Sequence, residues 1–231
     1  MSTPLWNKKL KCPFCGGEFE TTRLRSSAVR VKEKQSDFGC VFEAENPYFY
    51  AITACPHCSV AARNEEFEKI NASYEPKLIE VSKKLRQMKD KPDVFQTGEL
   101  SPEQAIRRHE LAIAMHKYRG HAEAGELAGL WMHVAWIRRL QGDAEKERSA
   151  LAAAEAAYLE FFEKGSKFPE RLGEPGILYM IGEIQRRTGR LREARASFSR
   201  ALYSKELASY PTVEGLLREG MLIAKEETDK A

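Results

Sequence analysis

The pattern of hydrophobic and polar positions changes period along the chain. Over Glu18 to Ser27 and Val29 to Gln35 the alternation is two-residue, and it predicts two strands joined near Ser26-Ser27-Ala28. Leu24, Val29 and Val31 then fall on one face, and Arg23, Arg25, Arg30, Lys32 and Lys34 on the other, so pairing of the two strands would make a basic ladder. A further strand is predicted to open at Asn46-Pro47-Tyr48-Phe49-Tyr50, whose aromatics suit the core of a small module better than an exposed stacking platform. From Ala61 the period becomes helical. Phe67 and Ile70 mark a short helix, and Leu78, Ile79, Val81 and Leu85 mark a second that runs to Met88. Lys91-Pro92-Asp93 stops it, and the stretch to Gly98 reads as a linker. Residues 98–231 are helical throughout. The fold class expected is α+β: a small β module over 1–62, connecting helices and linker over 63–97, and an all-α domain over 98–231.

Within the helical part the register repeats. Leu178, Ile181-Gly182, Gly189, Ala194, Phe198 and Ala201 are spaced as in a tetratricopeptide (TPR) unit, which these positions resemble. Trp131, Val134-Ala135, Gly142, Leu151 and Ala154 recur in the same register, with Glu147 where Ala is expected. Ser101-Pro102-Glu103 caps an earlier helix whose Ala105, His109 and Ala112 fit the second half of a unit standing alone. Gly142 and Gly189 stand further apart than the usual ~34 residues, and the excess falls at Gly165 to Gly176. Leu216, Leu217, Met221 and Ile223 suggest a closing helix. TPR stacks hold partners against the first helix of each repeat, so Trp131, His133, Arg138, Tyr179, Glu183 and Arg186 are the candidate partner-binding positions.

The chemistry is concentrated at the other end. Four of five cysteines form two matched pairs, Cys12-Pro13-Phe14-Cys15 and Cys55-Pro56-His57-Cys58. A two-residue gap lets both thiolates of a pair turn inward from one tight loop, and two such loops supply the four soft ligands that Zn²⁺ takes tetrahedrally. Gly16 and Gly17 ease the first loop; in the second Ser59 must serve instead. The reading is one structural zinc ion on Cys12, Cys15, Cys55 and Cys58. A redox dithiol or a pair of disulfides are the alternatives; the first wants a βαβ setting, the second an oxidising compartment. Cys40 reads first as a buried apolar thiol, with a spare ligand or a reactive centre as the alternatives.

Composition narrows the picture modestly. Hydrophobic residues at 42% and charged residues at 31% are ordinary for a soluble protein, and no apolar run is long enough to span a membrane. With no hydrophobic signal core in the first residues, a cytoplasmic location and no membrane contact are expected. Net charge is +3, and the basic excess is small and N-terminal.

Cys-Pro-Phe-Cys-Gly at 12–16, Arg-Ser-Ser at 25–27, Ser-Asp-Phe at 36–38, Asn-Pro-Tyr-Phe-Tyr at 46–50, Cys-Pro-His-Cys at 55–58 and Ala-Ala at 61–62 together resemble a bacterial family catalogued as a domain of unknown function. Ala-Trp-Ile-Arg-Arg at 135–139 and Ile-Gly-Glu-Ile-Gln-Arg-Arg at 181–187 resemble the tail of the same family. The resemblance implies zinc binding and TPR-like repeats, and implies no reaction. It departs at Ser59-Val60, where the family pattern has Gly-Tyr.

Three functions compete. A non-enzymatic zinc-binding adaptor that grips a protein or peptide through its repeats is the favoured one. A nucleic-acid binder would use Arg23, Arg25, Arg30, Lys32 and Lys34 on phosphates, against which the mild net charge weighs. An enzyme is not expected: four thiolates close the metal shell that catalytic zinc leaves open. His109, His116, His121 and His133 read as helix-surface residues, and no catalytic spacing joins them.

Overall fold

The computed structural model describes residues 3–70, 76–87, 94–116, 118, 124–164 and 168–229; the linker signal at Lys91-Pro92-Asp93 and His121 lie outside them. Among the described residues the chain is an α+β protein, with six short strands in pairs followed by a helical region. The strands are β1 (Leu5–Lys11), β2 (Glu18–Leu24), β3 (Val31–Lys34), β4 (Cys40–Phe42), β5 (Ile52–Ala54) and β6 (Ala61–Arg63). The helices are α1 (Asn64–Phe67), α2 (Pro76–Gln87), α3 (Pro102–His116), α4 (Ala124–Leu140), α5 (Ala144–Glu163), α6 (Gly173–Arg187), α7 (Leu191–Leu202) and α8 (Pro211–Asp229). None of them is long and apolar enough to cross a membrane.

Two compact units interleave along the sequence. One takes residues 1–33, 40–123 and 136–143; the other takes 34–39, 124–135 and 144–231. These limits differ from a division at 62 and 97. Helix α3, which the sequence pattern groups with the repeats, packs on β5, β6 and the 3-10 turn Pro47–Tyr50 of the first unit.

In the first unit the pairing of strands differs from the one expected. β2 pairs with β1, from Leu5↔Leu24 to Lys11↔Glu18, and β3 pairs with β4. The residues of β1, Leu-Trp-Asn-Lys-Lys-Leu-Lys, are too polar to announce a strand; it forms because the cysteine loop after it turns the chain back on itself. Asn46-Pro47-Tyr48-Phe49-Tyr50 forms the 3-10 turn, not the start of a strand, because the Asn46 side chain accepts the Tyr48 N–H at 2.9 Å and Pro47 suits a first helical position. Of the aromatics here Tyr50 is core, as expected, while Tyr48 and Phe49 are half-buried. Tyr48 lies 5.3 Å from Phe42 and 5.0 Å from Trp136 between ring centroids, and Tyr50 is buried.

α3 begins in a capping box: the Ser101 N–H donates to Gln104 Oε1 at 2.8 Å and the Gln104 N–H donates to Ser101 Oγ at 3.3 Å. Because α3 covers strands, its inward face is deeply buried. His109 and His116 are therefore interior residues, not the surface histidines the helical pattern suggested. Arg108 is buried as well, and donates to the carbonyls of Val94 and Gln96 at 2.6 and 2.8 Å.

In the second unit α6 is the central element. It packs on α5, α7 and α8, and every residue from Pro175 to Gln185 is buried. The contact with α7 depends on a glycine. A Cβ at Gly182 would lie 2.6 Å from the Phe198 ring, and one at Gly220 on α8 would lie 3.0 Å from the same ring. A small residue thus sits where these helices touch.

The two turns of that register also match. Gly142 and Gly189 both take positive φ, 73° and 81°. The next residue of each, Asp143 or Arg190, donates its N–H back to Arg138 O at 3.1 Å or Gln185 O at 2.9 Å. Both are Schellman closures, for which glycine is the favoured residue.

Candidate metal centre

Each cysteine pair sits at the tip of a two-stranded hairpin. The last pair of β1 and β2, Lys11↔Glu18, frames Cys12 to Gly17, and the last pair of β5 and β6, Ala54↔Ala61, frames Cys55 to Val60. The loops are equal in length, and their hydrogen bonds correspond. The Cys12 N–H donates to Gly17 O and the Gly16 N–H to Cys12 O, both at 2.9 Å; the Cys55 N–H donates to Val60 O at 2.9 Å and the Ser59 N–H to Cys55 O at 2.8 Å. Closing the second loop takes Ser59 into the left-handed region at φ 64°, where Gly16 stands at 74° in the first. Ser59 does serve in glycine's place, at the ordinary steric cost of about 1–2 kcal/mol for a residue bearing a Cβ.

The loops meet through their sulfurs. Cys12 Sγ lies 3.7 Å from Cys58 Sγ, Cys15 Sγ lies 3.7 Å from Cys55 Sγ, and all four sulfurs fall within 4.8 Å of one another. A tetrahedral ion about 2.3 Å from each thiolate sets its sulfurs about 3.8 Å apart. A disulfide needs about 2.05 Å. The observed separations therefore fit four thiolates around one metal ion and are too long for a Cys12–Cys58 or Cys15–Cys55 disulfide, and all four cysteines are free. Among the described residues no other group of His, Cys, Asp or Glu converges in this way.

The surroundings hold this arrangement in place. Cys12, Cys55 and Cys58 are buried in a cluster with Leu10, Val60, Ala62, Phe67, Leu78 and Met115, while Cys15 is exposed. Ser82 of α2 donates to Cys58 O at 2.5 Å, tying that helix to the second loop. His57 Nε2 lies 2.9 Å from Glu18 O, and its ring fills the space that a Cβ on Gly17 would take, so the two loops interlock outside the sulfurs too. The need for glycine at 17 is thus a close approach rather than a turn. No pattern in the sequence points to Ser82 or to this use of His57.

The thiols of Cys12, Cys55 and Cys58 shift one another. Hydrogen bonds from Cys55 and then Cys58 hold the Cys12 thiol far below its ordinary range. Cys12 in turn pushes Cys55 up, and Cys12, Cys55 and burial together push Cys58 up further. A lone thiolate at Cys12 is thus solvated by its neighbours' S–H groups, and a cation that replaces those protons meets four preorganised donors.

Cys40 stands apart from the cluster. It is half-buried, and its N–H donates to Tyr48 Oη at 3.0 Å.

The five residues of the expected basic ladder do not share a face. β2 and β3 belong to different strand pairs, and Arg23 is buried on β2, where desolvation lowers its pKa against the pull of Glu68 and Glu65. Arg25 donates to Thr3 O at 3.2 Å, and Arg30 donates to Ser27 O at 2.8 Å and Val29 O at 3.1 Å. Lys32 and Lys34 are exposed on β3.

The six candidate partner-binding positions lie on α4 and α6. Trp131 and His133 are half-buried on α4. Arg138 is engaged with Glu103 at 2.8 Å. Tyr179 and Glu183 are buried on α6, and Arg186 bridges Glu183 and Glu227 at 2.8 and 2.7 Å. Tyr179 and Glu183 touch residues 36–38 of the same chain, a contact for which the helical periodicity gives no signal.

Short strand pairs, a helical region and a four-cysteine cluster define an α+β protein built around a candidate metal centre. Residues 5–222 match the family model described as "Uncharacterized protein conserved in bacteria (DUF2225)", and the chain belongs to that family. No curated protein and no solved structure matches it.

Proposed function

We propose that this protein is a non-enzymatic zinc-binding adaptor of the bacterial cytoplasm: one structural Zn²⁺ staples the two cysteine loops, and the TPR-like helical region holds a protein or peptide partner. The observation that carries the metal half is the convergence of Cys12, Cys15, Cys55 and Cys58 within 4.8 Å. Four thiolates suit zinc, and they fill its tetrahedral shell, so the ion is structural and no position is left for substrate. What supports the partner half is the repeated helix–turn register, with matched closures at Gly142 and Gly189. Helical repeats of this kind commonly serve as binding scaffolds.

The test has two arms. Elemental analysis of freshly purified, reduced protein is expected to give one zinc per chain. Affinity capture from a bacterial lysate on the full chain is expected to retain a protein, and retention of nucleic acid in its place would overturn the adaptor half. Protein lacking any metal would overturn the first half.

A further inference from the structure

We propose that the face of α6 formed by Tyr179, Glu183 and Arg187 is a loop-binding site that the chain's own residues Gln35 to Gly39 fill, and that a partner polypeptide binds there by presenting the same succession of hydroxyl, carboxylate and aromatic ring. The inference rests on the adaptor reading and deepens it by naming a surface and the chemistry of its partner.

The docked segment is held by specific groups. Tyr179 Oη donates to Ser36 O at 2.7 Å, Ser36 Oγ donates to Glu183 Oε1 at 2.5 Å, and Arg187 Nη2 donates to Ser36 Oγ at 2.9 Å. Arg187 Nε stands 3.5 Å from Asp37 Oδ2, and the Phe38 ring lies 5.7 Å from that of Tyr179. Glu183 is fully buried. Burial alone would raise its pKa, but hydrogen bonds from Arg186 and Ser36 and the charges of Arg186 and Arg187 outweigh it, and the carboxylate stays ionised. If the segment left, Tyr179 would lose its acceptor and Glu183 and Arg187 would lose partners, and a buried polar group left without its partner is costly. The face therefore calls for an occupant with a carbonyl for Tyr179, a hydroxyl between Glu183 and Arg187, and a carboxylate beside Arg187.

The present occupant carries features of a replaceable one. It is a self-contained turn, with the Gln35 N–H donating to Gly39 O at 2.8 Å, the Phe38 N–H to Gln35 O at 3.0 Å and the Gly39 N–H to Asp37 Oδ1 at 3.2 Å. Phe38 takes φ 63°, a left-handed conformation that is unfavourable for a residue bearing a Cβ, and the residue remains 37% exposed. The strand that leads into it, β3, is exposed along its whole length. Its partner β4 is half-buried, and a two-stranded ribbon is marginal by itself, so the turn has a weak scaffold behind it.

The test uses a fluorescein-labelled peptide with the sequence of residues 34–39 and the full chain, wild type or carrying Ser36→Ala, Asp37→Asn and Phe38→Ala together. The wild-type chain competes with its own turn, so the triple variant should bind the peptide with an apparent Kd at least about tenfold lower. Adding Arg187→Ala to that variant should remove the gain. A variant with native circular dichroism that binds the peptide no better than wild type overturns the proposal.

Should the variant fail to fold, hydrogen exchange on the wild-type chain decides. Phe38 and Gly39 amides that exchange at least about tenfold faster than those of Ile181 and Ile184 support a removable occupant, and equal rates show a fixed part of the core. A lysate partner captured equally by wild type and variant overturns this inference and leaves the adaptor reading standing. Peptide binding with no partner captured by either form sinks the adaptor reading alone.

Discussion

Ser59 holds in the second cysteine loop the left-handed backbone position that Gly16 holds in the first. The two positions differ in what their side chains meet: Ser59 is buried, whereas a Cβ on Gly16 would meet nothing within 4 Å. Gly16→Ala therefore isolates the backbone cost, and a loss of about 1 kcal/mol is expected. Ser59→Gly should run the other way, by about 0.5–1 kcal/mol, as relief at positive φ exceeds glycine's greater unfolded freedom. Denaturant unfolding of the metal-loaded protein measures both. A Ser59→Gly variant less stable than wild type would show that the serine side chain, not the backbone, dominates there.

Substitution of the cysteines separates ligands from bystander. Cys12→Ser, Cys55→Ser and Cys58→Ser should each lose the bound metal and loosen the strands that frame the loops, because site formation and folding are coupled in a small metal module. Cys40→Ser should keep full occupancy, since Cys40 lies outside the cluster. Elemental analysis of the purified variants checks this, and equal loss in the Cys40 variant would contradict the assignment.

Metal removal should divide the helices. Leu78 and Ser82 of α2 and Met115 of α3 touch the cysteine cluster or its loops, so both helices should become protease-sensitive in chelator. The helices α5 to α8 pack on one another and should keep their far-UV signal. Limited proteolysis with mass spectrometry reads the boundary; cleavage within α6 as early as within α2 would mean one cooperative core.

Two glycines in helices should respond with opposite sign. Gly182→Ala drives a Cβ to 2.6 Å from the Phe198 ring and should cost about 1–3 kcal/mol through overpacking. Gly215→Ala on α8 meets nothing within 4 Å and should stabilise by about 1 kcal/mol through helix propensity. Thermal and denaturant unfolding of the two variants compares them directly.

His109 should make stability fall in mild acid. Burial, with Arg63 and Arg108 adding to it, lowers its pKa to about 4, against a backbone hydrogen bond to Ala105 that raises it. The unfolded residue titrates near ~6.5, so between there and about 4 the unfolded chain binds a proton that the folded chain refuses. This contribution is constant above ~6.5 and is lost as pH falls, by about 2 kcal/mol at pH ~5. The difference in unfolding free energy between wild type and His109→Gln, taken at pH ~7 and ~5, should shift by that amount. An unchanged difference would mean that His109 takes up its proton as readily in the folded chain as in the unfolded one.

The cysteine site was legible in the sequence because its signal is local: the spacing within each pair and the turn-forming residue after it determine the loop before anything packs. Helix boundaries in the C-terminal part were legible for the same reason, through Gly142 and Gly189. What could not be read was pairing across distance. β1 looks polar by itself and becomes a strand only opposite β2. α3 carries a pattern suited to another helix, and the surface it actually covers is two short strands. Arg23 sits in an alternation that normally means solvent, and it is buried because other segments cover that part of the strand. Periodicity tells which face of an element is apolar or charged, not what comes to lie on it.

Cys15 is the exposed member of an otherwise buried set of four. The consequence is kinetic. How tightly an ion bound there would be held depends on all four sulfurs, but how fast it would leave depends on the first bond that a competing thiol, chelator or oxidant could reach, and that would be the one to Cys15. Alkylating reagents should therefore label Cys15 ahead of Cys12, Cys55 and Cys58, and slow exchange should turn fast once it is modified. The hairpin tips give the centre a sealed side and an entrance, and the entrance is a single side chain on the first loop.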